Sequence, residues 1–171
     1  MQTLPDKIDF RNSFSKGSCK LRKGRQSIEN QIYLVTFNTK NLEPLFKNFQ
    51  PASQFCKYIQ TKELWPSARL LCWVLMPDHF HGLIQIDGSE PLKTIVGRVK
   101  AQLTRSLRVS LPNQQVLWQR GFHDHALRKD EDLQSVAHYI VMNPMRAKLC
   151  RRIAHYPYWN AIWLQPPTDK C

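Results

Sequence analysis

Acidic residues are scarce in this sequence. Thirteen Asp and Glu stand against twenty-five Lys and Arg, giving a formal net charge of +12 over 171 residues. Cysteines are few and ungrouped. Cys19, Cys56, Cys72, Cys150 and Cys171 are odd in number and scattered, and no C-x-x-C pair occurs, which argues against a zinc knuckle or a dithiol redox motif. Free thiols of this kind suit a reducing cytoplasm. No apolar run approaches the length of a membrane span. The first residues, Met1 to Lys7, lack the apolar centre of a secretory signal, so no export is expected. Internal repeats and low-complexity tracts are also absent.

What is present supports one folded domain. Hydrophobic residues make up 42% of the chain, enough to bury a core. The excess of cations attracts polyanions through counterion release, nucleic acid first among them. Five Trp, five Tyr and eight Phe strengthen that reading, because bases stack on aromatic rings. A merely soluble basic protein, or one touching acidic membranes, is the competing reading of the charge.

The chain is organised around Leu70 to Ile86, which reads as two strands joined by a tight turn at Pro77-Asp78. Side chains alternate faces along a strand, so His79 and His81 share one face while Phe80 points to the other. Such a pair can be two polar residues facing water. It can equally grip one metal ion, with Phe80 anchoring the strand in a core. The apolar character of both strands favours a rigid, central position.

The remaining elements follow in order. Residues 1–27 form a basic arm carrying Arg11, Lys16, Lys20, Arg22, Lys23 and Arg25. It can clamp a nucleic-acid backbone or be a solvated tail. Gln31 to Thr39 is rich in β-branched and aromatic residues and predicts a first strand. Helical spacing runs from about Glu43 to Leu64, with Pro51 expected to split it. Strands are predicted over Arg69 to Met76 and His79 to Ile86. Ser89 is placed to cap a helix with Pro91 in its first turn. In that helix Leu92, Ile95, Val99 and Leu103 face the core, while Lys93, Lys100, Thr104 and Arg108 form a basic stripe. Val116 to Arg128 predicts a fourth strand or extended arm. A last helix is expected from Asp130 or Glu131 to about Met142. This order predicts an α+β fold: a ferredoxin-like antiparallel sheet with helices on one face, plus the C-terminal helix.

On that last helix Leu133, Val136, Ala137, Ile140 and Val141 make the apolar stripe, and Tyr139 lies beside it. Asn143 follows four residues later, about 40° away around the helix at roughly 100° per residue. A hydroxyl and an amide oxygen therefore project together. Each also has a bland reading, as a half-buried aromatic and as a helix-end residue before Pro144.

Taken together, Met76-Pro77-Asp78-His79-Phe80-His81, Trp118-Gln119-Arg120-Gly121-Phe122 and Tyr139-Ile140-Val141-Met142-Asn143-Pro144-Met145-Arg146-Ala147 resemble the REP-associated tyrosine transposases. These are HUH single-strand nucleases, whose U is a bulky hydrophobic residue, here Phe80. The resemblance covers about residues 22–165. It implies that His79, His81 and Asn143 bind a divalent metal, Mg²⁺ or Mn²⁺, and that Tyr139 is the nucleophile. It further implies a metal-dependent single-stranded DNA endonuclease and strand transferase. Such an enzyme acts on REP-type DNA hairpins through a 5′-phosphotyrosine, as a monomer or homodimer, in the cytoplasm at the nucleoid. Arg22, Lys23, Arg25, Lys100 and Arg120 are the candidate nucleic-acid contacts. On this reading the domain spans residues 28–150, and residues 151–171 form an aromatic tail that packs on the body or stacks bases. Two other readings compete: a non-catalytic hairpin-binding protein that kept the fold, and an HUH nickase of replication. A second His-x-His, at His123-Asp124-His125, has a charged centre and polar surroundings, and is expected at the site's rim or on DNA rather than as the principal metal pair.

Overall fold

Continuous apolar runs in the central strands give the sheet two buried faces, and the chain covers each with helix. A computed structural model describes residues 30–128 and 131–164. The basic arm, with Arg22, Lys23 and Arg25, lies outside the described residues. Five strands are formed: β1 (Ile32–Asn38), β2 (Ala68–Leu75), β3 (His79–Ile86), β4 (His123–Ala126) and β5 (Trp159–Ala161). The helices are α1 (Phe49–Ile59), α2 (Leu92–Leu107), α3 (Leu133–Val141) and the short α4 (Asn143–Arg146). The strand order is β4-β1-β3-β2-β5, with every neighbouring pair antiparallel. The first four strands thus form the expected ferredoxin-like sheet, with α1 and α2 as its two crossovers.

On one face Tyr33, Val35, Phe37, Trp73, Leu75, Phe80, Ile84 and Ile86 meet α1 and α2 through Phe55, Ile59, Ile95, Val99 and Leu103. On the other, Leu34, Cys72, Val74, Met76 and Leu83 meet α3 through Val136, Ala137, Ile140 and Val141. The crossover helices share one face, and the tyrosine-bearing helix takes the opposite one. That second face also carries His79 and His81.

One irregularity makes this division work. Pairing between β2 and β3 shifts at Leu70/Cys72. Leu71 and Cys72 both join the α3-side core, while Leu70 and Trp73 pack on the other side. An extra residue in a strand reverses its parity. Without this bulge Trp73 and Leu75 would face α3 and lose their partners.

Several local expectations are corrected. Pro51 does not split a helix; it sits buried in the first turn of α1, where its missing N–H costs nothing. Ser89 does not cap α2. That helix begins at Leu92 with Pro91 in the cap position and no side-chain cap bond. The last helix starts later than Asp130 or Glu131, because Asp132 caps it by accepting from the N–H groups of Gln134 and Ser135. Val116 to Arg128 is mostly irregular: Thr39 and Trp118 form an isolated bridge, and only His123–Ala126 pairs as a strand. In the segment read as a tail, Trp159–Ala161 extends the sheet beside β2. Tyr156 fixes its approach by donating to the Leu75 carbonyl at 2.7 Å.

Candidate active site

The turn before the histidines is held from outside. Thr39, fully buried, donates its N–H and its hydroxyl to the Asp78 carbonyl at 2.8 and 2.9 Å. The Phe46 N–H reaches the Pro77 carbonyl at 2.9 Å, and Met76 N–H closes the turn on the His79 carbonyl at 2.8 Å. Beneath the site, Phe80 is fully buried, stacked on Phe37 with ring centroids 4.8 Å apart. Its ring also lies over Gly82, where an added Cβ would sit 2.7 Å from two ring carbons. Phe80 and Gly82 therefore act as one packing unit, and the glycine after the second histidine is a steric requirement.

Above this floor the rings of His79 and His81 stand 4.6 Å apart, nearly perpendicular. Each has its Nδ1 engaged. The Asp78 carboxylate lies 2.6 Å from His79 Nδ1, and the Thr36 hydroxyl lies 2.7 Å from His81 Nδ1. Ligand capacity therefore rests with the two Nε2 atoms. A carboxylate behind a histidine fixes its tautomer and raises its basicity, an arrangement common behind metal-bound imidazoles. Burial, the adjacent His79 and the charge of Arg146 hold the His81 pKa well below the usual 6.5. That ring stays neutral, the form that can donate to a metal.

The other half of the site comes from the end of α3. Tyr139 is half-buried against the α3-side core. The helix breaks at Met142 and resumes as α4, which carries Asn143 to Arg146. Asn143 donates its amide to the Ile140 carbonyl at 3.0 Å, and its Oδ1 accepts from Arg146 at 2.9 Å. The Arg146 guanidinium lies over the Tyr139 ring, 3.7 Å from its centroid, and donates to the Tyr139 carbonyl at 2.5 Å. Among the described residues, no three His, Cys, Asp or Glu side chains cluster as a metal site. An amide oxygen such as that of Asn143 is of a kind that can add to two imidazoles as a donor. Two imidazole nitrogens and an amide oxygen fit a divalent ion and leave positions open for substrate oxygens.

Register settles where the second His-x-His lies. His123 pairs across from Thr36, and Thr36 across from His81, so the three form one row on the same face. His123 is exposed at the edge of that row. His125 Nε2 lies 2.9 and 3.0 Å from the two Glu131 oxygens, and Glu131 also accepts the Arg128 N–H at 2.6 Å. This pair braces β4 against the lead-in to α3.

Of the candidate DNA contacts, Lys100 has an internal task. Its ammonium donates to the Gln119 and Gly121 carbonyls, both at 2.7 Å, and burial pulls its pKa down to about 8. It thereby pins the turn that presents the exposed Arg120, with Gly121 at φ 79°. In the sequence reading Asp78 was a turn residue, Glu131 a helix start, and Thr36 and Arg146 had no role of their own.

The ferredoxin-like sheet thus carries His-x-His on its central strand and a tyrosine-bearing helix across the same face. The model of the family "Transposase IS200 like" matches residues 27–143, and the chain belongs to that family. Within it, the chain is 32% identical over 111 residues to a protein of Haemophilus influenzae named "Putative REP-associated tyrosine transposase". That match covers 59% of this chain and 62% of the relative, so it spans about three fifths of the relative's length. The REP-associated tyrosine transposase of Escherichia coli K12 is 26% identical over 87 residues, half of each chain. The fold is shared with a solved REP-associated tyrosine transposase bound to a REP hairpin, at a TM-score of 0.62 and 20% identity over 79% of both chains.

Proposed function

We propose that this protein is a metal-dependent single-stranded DNA endonuclease and strand transferase acting on REP-type hairpins through a 5′-phosphotyrosine, in the cytoplasm at the nucleoid. The observation that carries the reading is the His79–His81 pair. Both rings are oriented from behind, by Asp78 and Thr36, on the sheet face that also receives the tyrosine helix. A binding protein has no use for two imidazoles aligned in this way. The hairpin substrate is favoured by the net charge of +12 and by the solved relative of the same fold that holds a REP hairpin.

A divalent ion, Mg²⁺ or Mn²⁺, held by His79, His81 and Asn143 would supply Lewis-acid stabilisation of charge on the scissile phosphate. The protein's own groups do the rest. Tyr139 attacks phosphorus with its phenolic oxygen, and the bond to the 3′-oxygen breaks. The phenol's proton passes to water, and the departing 3′-oxygen takes one from water. The link to Tyr139 conserves the phosphodiester's bond energy, so a second 3′-hydroxyl can reverse the step without a nucleotide cofactor. Exposed Arg120, on the turn held by Lys100, is positioned by that turn to meet the DNA backbone.

The test is incubation of the protein with labelled single-stranded hairpins from its source genome's palindromic repeats, with Mg²⁺ or Mn²⁺. A denaturing gel should show DNA attached to protein, abolished by chelator. Tight hairpin binding without any adduct would assign the chain to the non-catalytic binding proteins.

A further inference from the structure

Arg146 touches both Tyr139 and Asn143, yet nothing so far gives it a task. We propose that Arg146 is a catalytic residue whose guanidinium, seated on the Tyr139 ring, binds the non-bridging oxygens of the scissile phosphate. The proposal rests on the phosphotyrosine reading above and adds the group that steers the phosphate onto the nucleophile.

Three contacts define the position. The guanidinium lies over the face of the Tyr139 ring at 3.7 Å. One of its nitrogens bonds Asn143 Oδ1 at 2.9 Å. The same nitrogen is tied to the Tyr139 carbonyl at 2.5 Å, so the head group is fixed by the residues it would serve. The break at Met142 makes this possible, because α4 turns Arg146 back over the end of α3.

The chemistry suits this place. A guanidinium offers five N–H donors in a rigid plane. Phosphate is its natural bidentate partner. As the bond from the tyrosine oxygen forms and the bond to the 3′-oxygen breaks, charge grows on the non-bridging oxygens. A fixed cation there stabilises the transition state more than the free DNA. The competing role is that of a helix C-terminal cap, in which the bond to the Tyr139 carbonyl is the whole function.

The experiment compares wild type with Arg146→Gln and Arg146→Lys, using the labelled hairpins described above. Adduct formation is followed in single turnover at saturating DNA, hairpin affinity by fluorescence anisotropy, and melting temperature in parallel. The expected result is a fall of about 10²–10³-fold in the adduct rate of Arg146→Gln. Hairpin affinity should stay within threefold or so, with the protein folded. Arg146→Lys should recover part of the rate, and added methylguanidine should recover part in Arg146→Gln. A wild-type rate in folded Arg146→Gln overturns the proposal and leaves the phosphotyrosine reading intact. So does a loss that tracks the unfolded fraction and that neither lysine nor methylguanidine relieves. Absence of any adduct in wild type overturns both.

Discussion

Replacing Gly82 by alanine adds one methyl group to the most crowded point beneath the site. Its carbon would lie 2.7 Å from Cε1 and Cζ of Phe80 and 3.1 Å from Leu70 Cδ1. The ring cannot withdraw, because Phe80 is fully buried between Phe37 at 4.8 Å and Phe55 at 5.7 Å. Overpacking of this sort costs about 1–3 kcal/mol. Alanine's smaller unfolded-state entropy offsets about 0.4–1 kcal/mol of that. The net loss should be about 1–2 kcal/mol, or roughly 2–8 °C in melting temperature for a chain of this size. Phe80→Leu alone opens a void and costs about 1–2 kcal/mol. In the double variant the void receives the methyl, so the two losses should not add, with a coupling of about 0.5–2 kcal/mol. Urea denaturation of the four proteins measures this directly. Additive losses, or a neutral Gly82→Ala, would refute the view that Phe80 and Gly82 form one unit.

Further predictions concern the site and its supports. Asp78→Asn and Thr36→Val should each weaken Mn²⁺ binding by about 10–100-fold in isothermal titration calorimetry without DNA; unchanged affinity would show that neither orients its histidine. Lys100→Met should lower stability by about 1–2 kcal/mol in urea, because two carbonyls lose their donor; an unchanged midpoint with weakened DNA binding would make Lys100 a contact instead. Burial pushes the Cys56 and Cys72 thiols up to about 12 from an ordinary 9.0, so both should resist a disulfide reagent at pH 8 until the chain unfolds. Because the folded state keeps those protons, their contribution to stability is complete below pH 9.0 and is lost as pH rises toward about 12, which denaturation midpoints across that range will show.

The elements closest to expectation are those with the clearest periodicity. β3 runs over the residues read for it, and the apolar stripes of α2 and α3 face the two cores. The bulge at Leu71 was hidden because Leu70 to Leu75 is apolar on both sides, so alternation gives no register. β5 is three residues long and owes its place to pairing with β2 rather than to its own propensity. The face on which α3 docks is likewise a tertiary choice. At the site, His79, Phe80 and His81 stood out by residue type and spacing, whereas Tyr139 and Asn143 gained their candidate roles only through the family resemblance. Asp78 read as a turn residue and Thr36 as one strand threonine among others. Their bonds to the histidines exist only once β1 lies against β3. Arg146 depends on the break at Met142, which the Asn143-Pro144 pair announced as a stop rather than as a turn back over Tyr139.

The most direct test of the central claim is to find where the DNA is attached. Protein incubated with labelled hairpin and Mn²⁺ is digested with nuclease and protease, and the modified peptide is sequenced by mass spectrometry. The account predicts a nucleotide phosphate on Tyr139, absent from Tyr139→Phe and from chelated samples. An adduct on another residue, or one that persists in Tyr139→Phe, would contradict it.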